Sequence, residues 1–454
     1  MKGCHSRFTI LHMRCFNLNV RVLYQGNRSL KRREFTSKSA AALSTLAAPN
    51  LLFSPALAAL PGTVTWGGAY LLEDKPGIMP YTRSALQMSK NNSPNGTSVN
   101  KTLLREIRDT DWTGTGLDLR TGLKKKETRY GMVFGLAAEQ VLAAVYLPAA
   151  DKTQYILRQI GYVTVYDIVD RRIVSCIAVR GRYIESRVGK FDEAILPKLF
   201  FNLLADKNNT GSVARFMVEK IKDYPFAEKY QGEYFQVNKV VFVEYAIASA
   251  AETGINTDSY GDDTALAVTT AFSEKLQSPI VPYRKTTAIN RDMLSEMKIV
   301  STSGDSALNT ALPLRPADCG IEITHQGWDF VITASSSTRN QVTLVTRLTL
   351  RCFDKDRGAT FFNQEYYGKQ DFLESTNSDM SIARENRLFM LHETIIDRAF
   401  AGIKSEKSRG IVFDGEEITA RGQKTFIQAA AEDWDMFSAE SNLVLERLPR
   451  VFGG

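Results

Sequence analysis

Val342-Thr343-Leu344-Val345-Thr346-Arg347-Leu348-Thr349-Leu350-Arg351 alternates largely between apolar and polar residues. Successive side chains of a strand point to opposite faces. The run therefore predicts a half-buried strand with Val342, Leu344, Leu348 and Leu350 on one face and Thr343, Arg347, Thr349 and Arg351 on the other. Trp328, Phe330, Ile332 and Ala334 are expected to share a face of the strand before it, and Phe361-Phe362 to Tyr366-Tyr367 continues the meander. Asp356-Arg357 falls between apolar runs, where a hairpin turn belongs.

Upstream, Lys239–Ala248 is rich in β-formers, and an acidic loop, Asp258-Ser-Tyr-Gly-Asp262-Asp263, follows it. A helix is predicted from Thr264 to Leu276, with Val268, Ala271, Phe272 and Leu276 on one side. Pro279–Tyr283 reads as a short strand and Ile289–Met297 as a second helix. Downstream, Ile382–Ile403 carries Leu388, Leu391, Ile395 and Ala399 at helical spacing. The order is β-α-β-α-β-β-β-α. A tail begins after Lys404–Arg409, with an amphipathic helix expected near Lys424–Phe437.

Two distant segments read alike. Gly131-Met-Val-Phe134-Gly-Leu136-Ala-Ala138 matches Gly327-Trp-Asp-Phe330-Val-Ile332-Thr-Ala334, and Tyr166-Asp-Ile-Val-Asp170-Arg171 matches Cys352-Phe-Asp-Lys-Asp356-Arg357. The first copy is laid out as a strand over Thr63–Leu72, helices near Ser84–Lys90 and Thr102–Arg108, a meander over 129–186, and helices over 192–205 and 212–222. The fold class expected is α/β (α+β): two tandem repeated modules, each a mixed sheet with an antiparallel meander packed by helices. The modules span 59–230 and 231–405, with a helical tail over 406–454. In this alignment 36 positions separate Phe134 from Asp170, against 26 between Phe330 and Asp356. The excess of ten falls around the apolar stretch Val141–Pro148. Val145, Tyr146 and Leu147 then either form a docking surface or fold back to lengthen the core strands.

The order of strand, alternating meander and closing helix resembles the curli assembly and transport component family. It also resembles the related amino-terminal domain of TolB and the small outer-membrane activators of penicillin-binding proteins. The resemblance covers residues 239–403 and rests on element order and the Phe330–Tyr367 meander. It implies a non-enzymatic periplasmic module that binds partners. No cysteine stands directly after the leader segment described next, so the lipid anchor common in that group is not expected.

Residues 1–58 read as a twin-arginine export signal. Arg32 and Arg33 precede the aromatic Phe35, a mild apolar stretch runs from Ala40 to Leu60, and Ala56-Leu57-Ala58 offers the small-x-small pattern of a signal peptidase site. A mitochondrial transit peptide is the competing reading. The chain carries 57 Lys and Arg against 50 Asp and Glu, but residues 1–58 hold nine of the bases and one of the acids. The remainder is close to neutral, which removes the case for nucleic acid. Gly131–Ala150 is apolar but has Glu139 and Gln140 at its middle, and is expected to be a buried strand pair rather than a membrane span.

Catalytic chemistry finds little support. Beyond the leader there are two histidines, His325 and His392, and three widely spaced cysteines, Cys176, Cys319 and Cys352. His392 sits beside an apolar helical stripe, as a satisfied boundary histidine would, and His325 precedes a turn into a strand. Gly114-Thr-Gly116 lacks the third glycine of a dinucleotide loop and reads as a turn, and Lys124–Lys126 as a solvated face. Asp262 and Asp263 are expected to cap the helix at Thr264 rather than to hold a cation. No catalytic, cofactor or metal residue is assigned. The function expected is an exported cell-envelope protein that binds a protein partner or itself, with possible peripheral membrane contact. The alternative is an exported periplasmic enzyme. Export should depend on the guanidinium forks of Arg32 and Arg33. Changing both to Lys is expected to leave the precursor in the cytoplasm, as fractionation would show, and normal periplasmic amounts would refute the signal.

Overall fold

The computed structural model describes residues 63–448 apart from 73–78, 89–96, 114, 116, 121–128, 148–149, 168–171, 206–211, 225, 227–231, 284–295, 300–309, 314–315, 376–380 and 421–422. The export signal (Arg32, Arg33, Phe35, Ala56 and Ala58), Gly114, Gly116, Lys124–Lys126 and Asp170-Arg171 lie outside the described residues.

The first module runs β1 (Thr63–Leu71), α1 (Pro80–Gln87), α2 (Val99–Asp109), β2 (Asp118–Arg120), β3 (Tyr130–Leu147), β4 (Lys152–Asp167), β5 (Arg172–Val188), α3 (Leu196–Ala205) and α4 (Val213–Lys222). The second runs β6 (Phe235–Phe242), α5 (Glu244–Thr253), α6 (Thr257–Leu276), a small hairpin β7 (Glu296–Ile299) and β8 (Thr310–Pro313), then β9 (Cys319–Ser335), β10 (Arg339–Asp354), β11 (Thr360–Ser375) and α7 (Ser381–Lys404). It is completed by α8 (Glu406–Asp414), β12 (Glu416–Ala420), β13 (Gln423–Ala429) and α9 (Trp434–Arg447).

The first sheet has the order β2-β1-β3-β4-β5 and the second β12-β13-β11-β10-β9-β6. In each, a parallel strand (β1 or β6) lies beside a three-stranded antiparallel meander (β3-β4-β5 or β9-β10-β11). The strand irregularities coincide as well. β1 shifts register after Trp66 and β6 after Val237; β3 bulges between Leu136 and Ala138 and β9 between His325 and Gly327; β4 shifts at Val165/Tyr166 and β10 at Cys352/Phe353. Gly131 and Gly320 begin their meanders equivalently. A Cβ would meet the Tyr166 ring at 2.3 Å in one and the Phe353 ring at 2.4 Å in the other.

This register corrects the alignment read from sequence. Gly131 corresponds to Gly320, not Gly327, and Asp167 to Asp354. The excess of ten residues shrinks to two. Val145, Tyr146 and Leu147 are the outer end of β3, paired with Gln154, Thr153 and Lys152.

The two sheets enclose a helical layer. Trp66, Met132, Phe134, Val163 and Val165 on one face of the first sheet pack with α1–α4. Val133, Ile160, Tyr162, Cys176 and Ala178 on the other face join one core with α6, α7 and the inner face of the second sheet. That inner face includes Val342, Leu344, Leu348 and Leu350, buried as expected, while Thr343, Arg347, Thr349 and Arg351 lie on the outer face. Covered on both sides, β4 and β5 are apolar almost throughout their inner halves; β10, covered on one, alternates.

Several elements differ from expectation. The strand at Lys239 stops at Phe242, and Glu244–Thr253 is helical with Ala246, Ser249 and Ala250 inward. Helix α6 starts at Thr257 under an Asn256 cap, whose Oδ1 accepts from the backbone N–H of Asp258 and Ser259 at 3.0 Å. Asp262 and Asp263 therefore sit within the helix and do not cap it. Pro279–Tyr283 contributes an isolated bridge, Phe235 to Ile280. The helix expected at Ile289–Met297 lies mostly outside the described residues, and Glu296–Ile299 is strand. Lys424–Phe437 is not a helix. Thr425, Ile427 and Ala429 are buried at strand period in β13, which pairs with β11, and the helix begins at Trp434. The supposed tail thus widens the second sheet. Ala334 leaves the face shared by Trp328, Phe330 and Ile332, because Thr333 bulges between them. Asp356-Arg357 does form the β10–β11 turn, with Asp354 Oδ1 accepting from both of their N–H groups at 2.9 Å.

Leu348 is 2% exposed beneath α7. Leu348→Asp is expected to destabilise the protein by about 3–5 kcal/mol, the usual cost of an uncompensated buried charge. A calorimetric melt checks this, and an unchanged Tm would place Leu348 on the wrong face.

Candidate functional site

Charged and polar contacts concentrate where α6 and α7 meet the first sheet. Arg158 of β4 donates from both terminal nitrogens to Glu393 of α7, one at 2.9 Å. Arg180 of β5 binds Glu274 of α6, with Glu393 and Asp397 3.6 Å away. Burial pushes the Glu274 carboxyl up, but the bond and charge of Arg180, with Lys220 and Lys275, outweigh it and hold the group below its usual range. Tyr162 OH lies 3.1 Å from Thr270 Oγ1, and Ser273 Oγ accepts from Ala178 N–H while donating to the Cys176 carbonyl. A cleft of about 360 Å³ opens beside this network, lined by Arg180, Lys275, Glu393, Asp397 and Arg398. All five of those charged side chains are in ion pairs.

The two histidines, 67 positions apart in sequence, meet in the core with ring centroids 4.8 Å apart. His392 Nδ1 is 2.6 Å from Tyr260 OH and its Nε2 is 2.7 Å from Thr346 Oγ1. His325 Nε2 is 3.1 Å from Thr264 Oγ1, and its ring stacks on Phe242 at 4.5 Å. His392 is thus a core group rather than a boundary one, and His325 lies within β9 rather than before it. Burial lowers the His325 pKa to about 3; burial and the neighbouring His325 lower His392 well below its usual value.

The cysteine thiols are equally enclosed. Burial pushes Cys176 and Cys352 up to about 12 and raises Cys319, which also donates to Glu233 Oε2 at 2.8 Å. A thiol so raised stays protonated and is a poor nucleophile. Among the described residues no three His, Cys, Asp or Glu side chains group as a metal site. The Asp258–Asp263 segment, a candidate cation loop in sequence, is the first turns of α6, and Asp262 accepts from Tyr283 OH at 2.7 Å.

No protein-family model matches the chain, and no curated protein matches it. Among solved structures, a neuraminyllactose-binding hemagglutinin homologue from Helicobacter pylori is similar at 9% identity and a TM-score of 0.21, over 41% of this chain and 95% of that one. That likeness is too slight to carry an argument about function.

The candidate site that remains is a surface. The outer face of the second sheet is open, bearing Thr343, Arg347, Thr349 and Arg351 on β10 with Glu365, Tyr367 and Lys369 on β11. Toward its far end, Val331 and Leu373 on this face are 49% and 62% exposed. β6 pairs with β9 only as far as His325, so this end lies beyond the parallel strand. Asn386 of α7 donates to the Leu142 carbonyl of β3, while Arg384, two residues earlier, binds Glu374 of β11. Both meander ends therefore flank the start of α7. Tyr146, half-buried near the end of β3, donates to Asp151 Oδ1 at 2.9 Å.

The side chains of Arg158 and Glu393 are 11% and 16% exposed. A double-mutant cycle of Arg158→Met and Glu393→Gln by urea denaturation is expected to give a coupling of about 1–3 kcal/mol. Additive effects would mean the pair does not join α7 to the first sheet.

Proposed function

We propose that this protein is an exported, non-enzymatic binding or assembly module of the cell envelope, working outside the cytoplasm through a protein partner or its own copies. One observation carries the reading. The first sheet is covered on both faces over its inner half, whereas its duplicate keeps an open face ending in the exposed Val331 and Leu373. Apolar side chains grouped at the end of a polar face are a common mark of an interaction site. The near-neutral charge of the mature chain fits a protein partner better than nucleic acid. Its two histidines and three cysteines are given to packing and internal hydrogen bonds, which supports binding over catalysis. The element order shared with periplasmic assembly modules supports the same reading.

The test uses the mature chain recovered from the periplasm. Light scattering and cross-linking are expected to show a defined oligomer or an envelope complex. Val331→Ser with Leu373→Ser should abolish it while changing stability by no more than about 0.5 kcal/mol, as is usual for exposed positions. A monomer that cross-links to nothing, or an assembly untouched by the double variant, would overturn the proposal.

A further inference from the structure

The histidine pair is held by hydroxyls whose protons are already committed. Thr264 Oγ1 donates to the Tyr260 carbonyl at 2.9 Å, so toward His325 Nε2 it can only accept. His325 is therefore the tautomer protonated at Nε2, and its buried Nδ1 has no hydrogen-bond partner. Thr346 Oγ1 likewise donates to the Gly327 carbonyl at 3.0 Å and accepts from His392 Nε2–H. That leaves His392 Nδ1 bare to accept from Tyr260 OH. Every bond of the network is made with both rings neutral. A second proton on His325 would point an N–H at nothing. One on His392 would set an N–H against the Tyr260 hydroxyl and turn that hydroxyl's own proton away from its acceptor.

The surroundings offer little compensation for positive charge. From α6 the pair meets Tyr260, with Asp263 one turn on; from α7 come Glu385 and Glu393, whose charges, with that of Asp263, reach Tyr260. Glu393 is bound by Arg158 of β4, whose guanidinium lies 5.6 Å over the Phe389 ring. Burial and then Asp263 raise the Glu385 pKa. β6, β9 and β10 present Phe242, Trp328 and Thr346, which do not titrate, and the Trp328 indole N–H is itself unpartnered. Among the described residues no carboxylate bonds either imidazole.

Five side chains, Tyr260 and Thr264 of α6, His392 of α7, His325 of β9 and Thr346 of β10, join four elements at one point of the layer shared by the two sheets. On the opposite side of that layer, Arg158–Glu393 and Arg180–Glu274 tie it to the first sheet by ion pairs. We propose that the His325–His392 pair is an acid-sensitive latch: protonation opens the contact of α6 and α7 with the centres of β9 and β10, while the layer stays on the first sheet. The sign follows from the neutral rings. Ordinary histidines take up protons below about pH 6.5, so the open form binds more protons than the closed one. The latch is fully closed above that pH and weakens as pH falls.

Hydrogen exchange on the mature chain tests this, with intrinsic rates corrected between pH 7.5 and 4.5. The expected result is at least a tenfold loss of protection in β9 and β10 around 321–330 and 344–350, with β4 and β5 retaining theirs. His325→Asn with His392→Gln should move the midpoint down by about one pH unit or more, since the replacements do not titrate. An unmoved midpoint, or equal loss across both sheets, would overturn the latch. Should the double variant fail to fold at pH 7.5, nitrogen-15 histidine spectra of the unaltered protein decide. Both rings should stay neutral until the transition, and rings that titrate near pH 6.5 in the closed fold would refute it.

Discussion

The structure depends on a helix that has no solvent face. Almost every residue of α6 from Tyr260 to Phe272 is buried, because the first sheet lies on one side and the second on the other. Such a helix has to be non-polar all round or satisfy its polar groups internally. It does both. Ala265, Leu266, Val268, Ala271 and Phe272 supply packing, while Thr264, Thr269 and Thr270 return their hydroxyls to the carbonyls four residues back. The hydroxyls spared from solvent in this way are then available to histidine and tyrosine across the layer.

Duplication explains the plan, and burial explains why the copies diverged. Matched strand for strand, Ile160 and Tyr162 of β4 correspond to Arg347 and Thr349 of β10. The first pair faces α6 and α7; the second faces solvent. Losing a cover turns a continuous apolar strand into an alternating one. The bulges, glycines and parallel strand persist because they set strand twist and register, which both copies need whatever lies on their faces.

Polar contacts in the shared layer differ in kind between its margins, where Arg384–Glu374 and Arg398–Glu416 also join α7 to the second sheet, and its centre. Toward the first sheet, charge pairs such as Arg158–Glu393 and Arg180–Glu274 sit at its margin, where water can still reach them. Toward the second, neutral side chains are sealed at the centre. Arg180 holds the Glu274 carboxyl below its usual range, whereas burial disfavours the charged form of a sealed imidazole. The imidazole centre of the layer is therefore more sensitive to acid than its ion-paired margins.

Much of the architecture follows from local sequence. The period-2 run from Val342 to Arg351 determined a one-sided strand, Leu388, Leu391, Ile395 and Ala399 determined α7, and Asp354 with Asp356-Arg357 determined a turn, since each depends on neighbours a few residues away. Register between the copies was not legible there. A strand repeat of two matches itself at many offsets, so Gly131 paired as readily with Gly327 as with its true counterpart Gly320, and only the ladder and its bulges chose. The acidic Asp258–Asp263 looked like a loop because burial of α6 between two sheets is invisible in a local window. Thr425, Ile427 and Ala429 became a strand because β11 offered a free edge. The meeting of His325 with His392 was decided by tertiary structure alone, because no local signal links a residue on β9 to one on α7 before the layer between the sheets has closed.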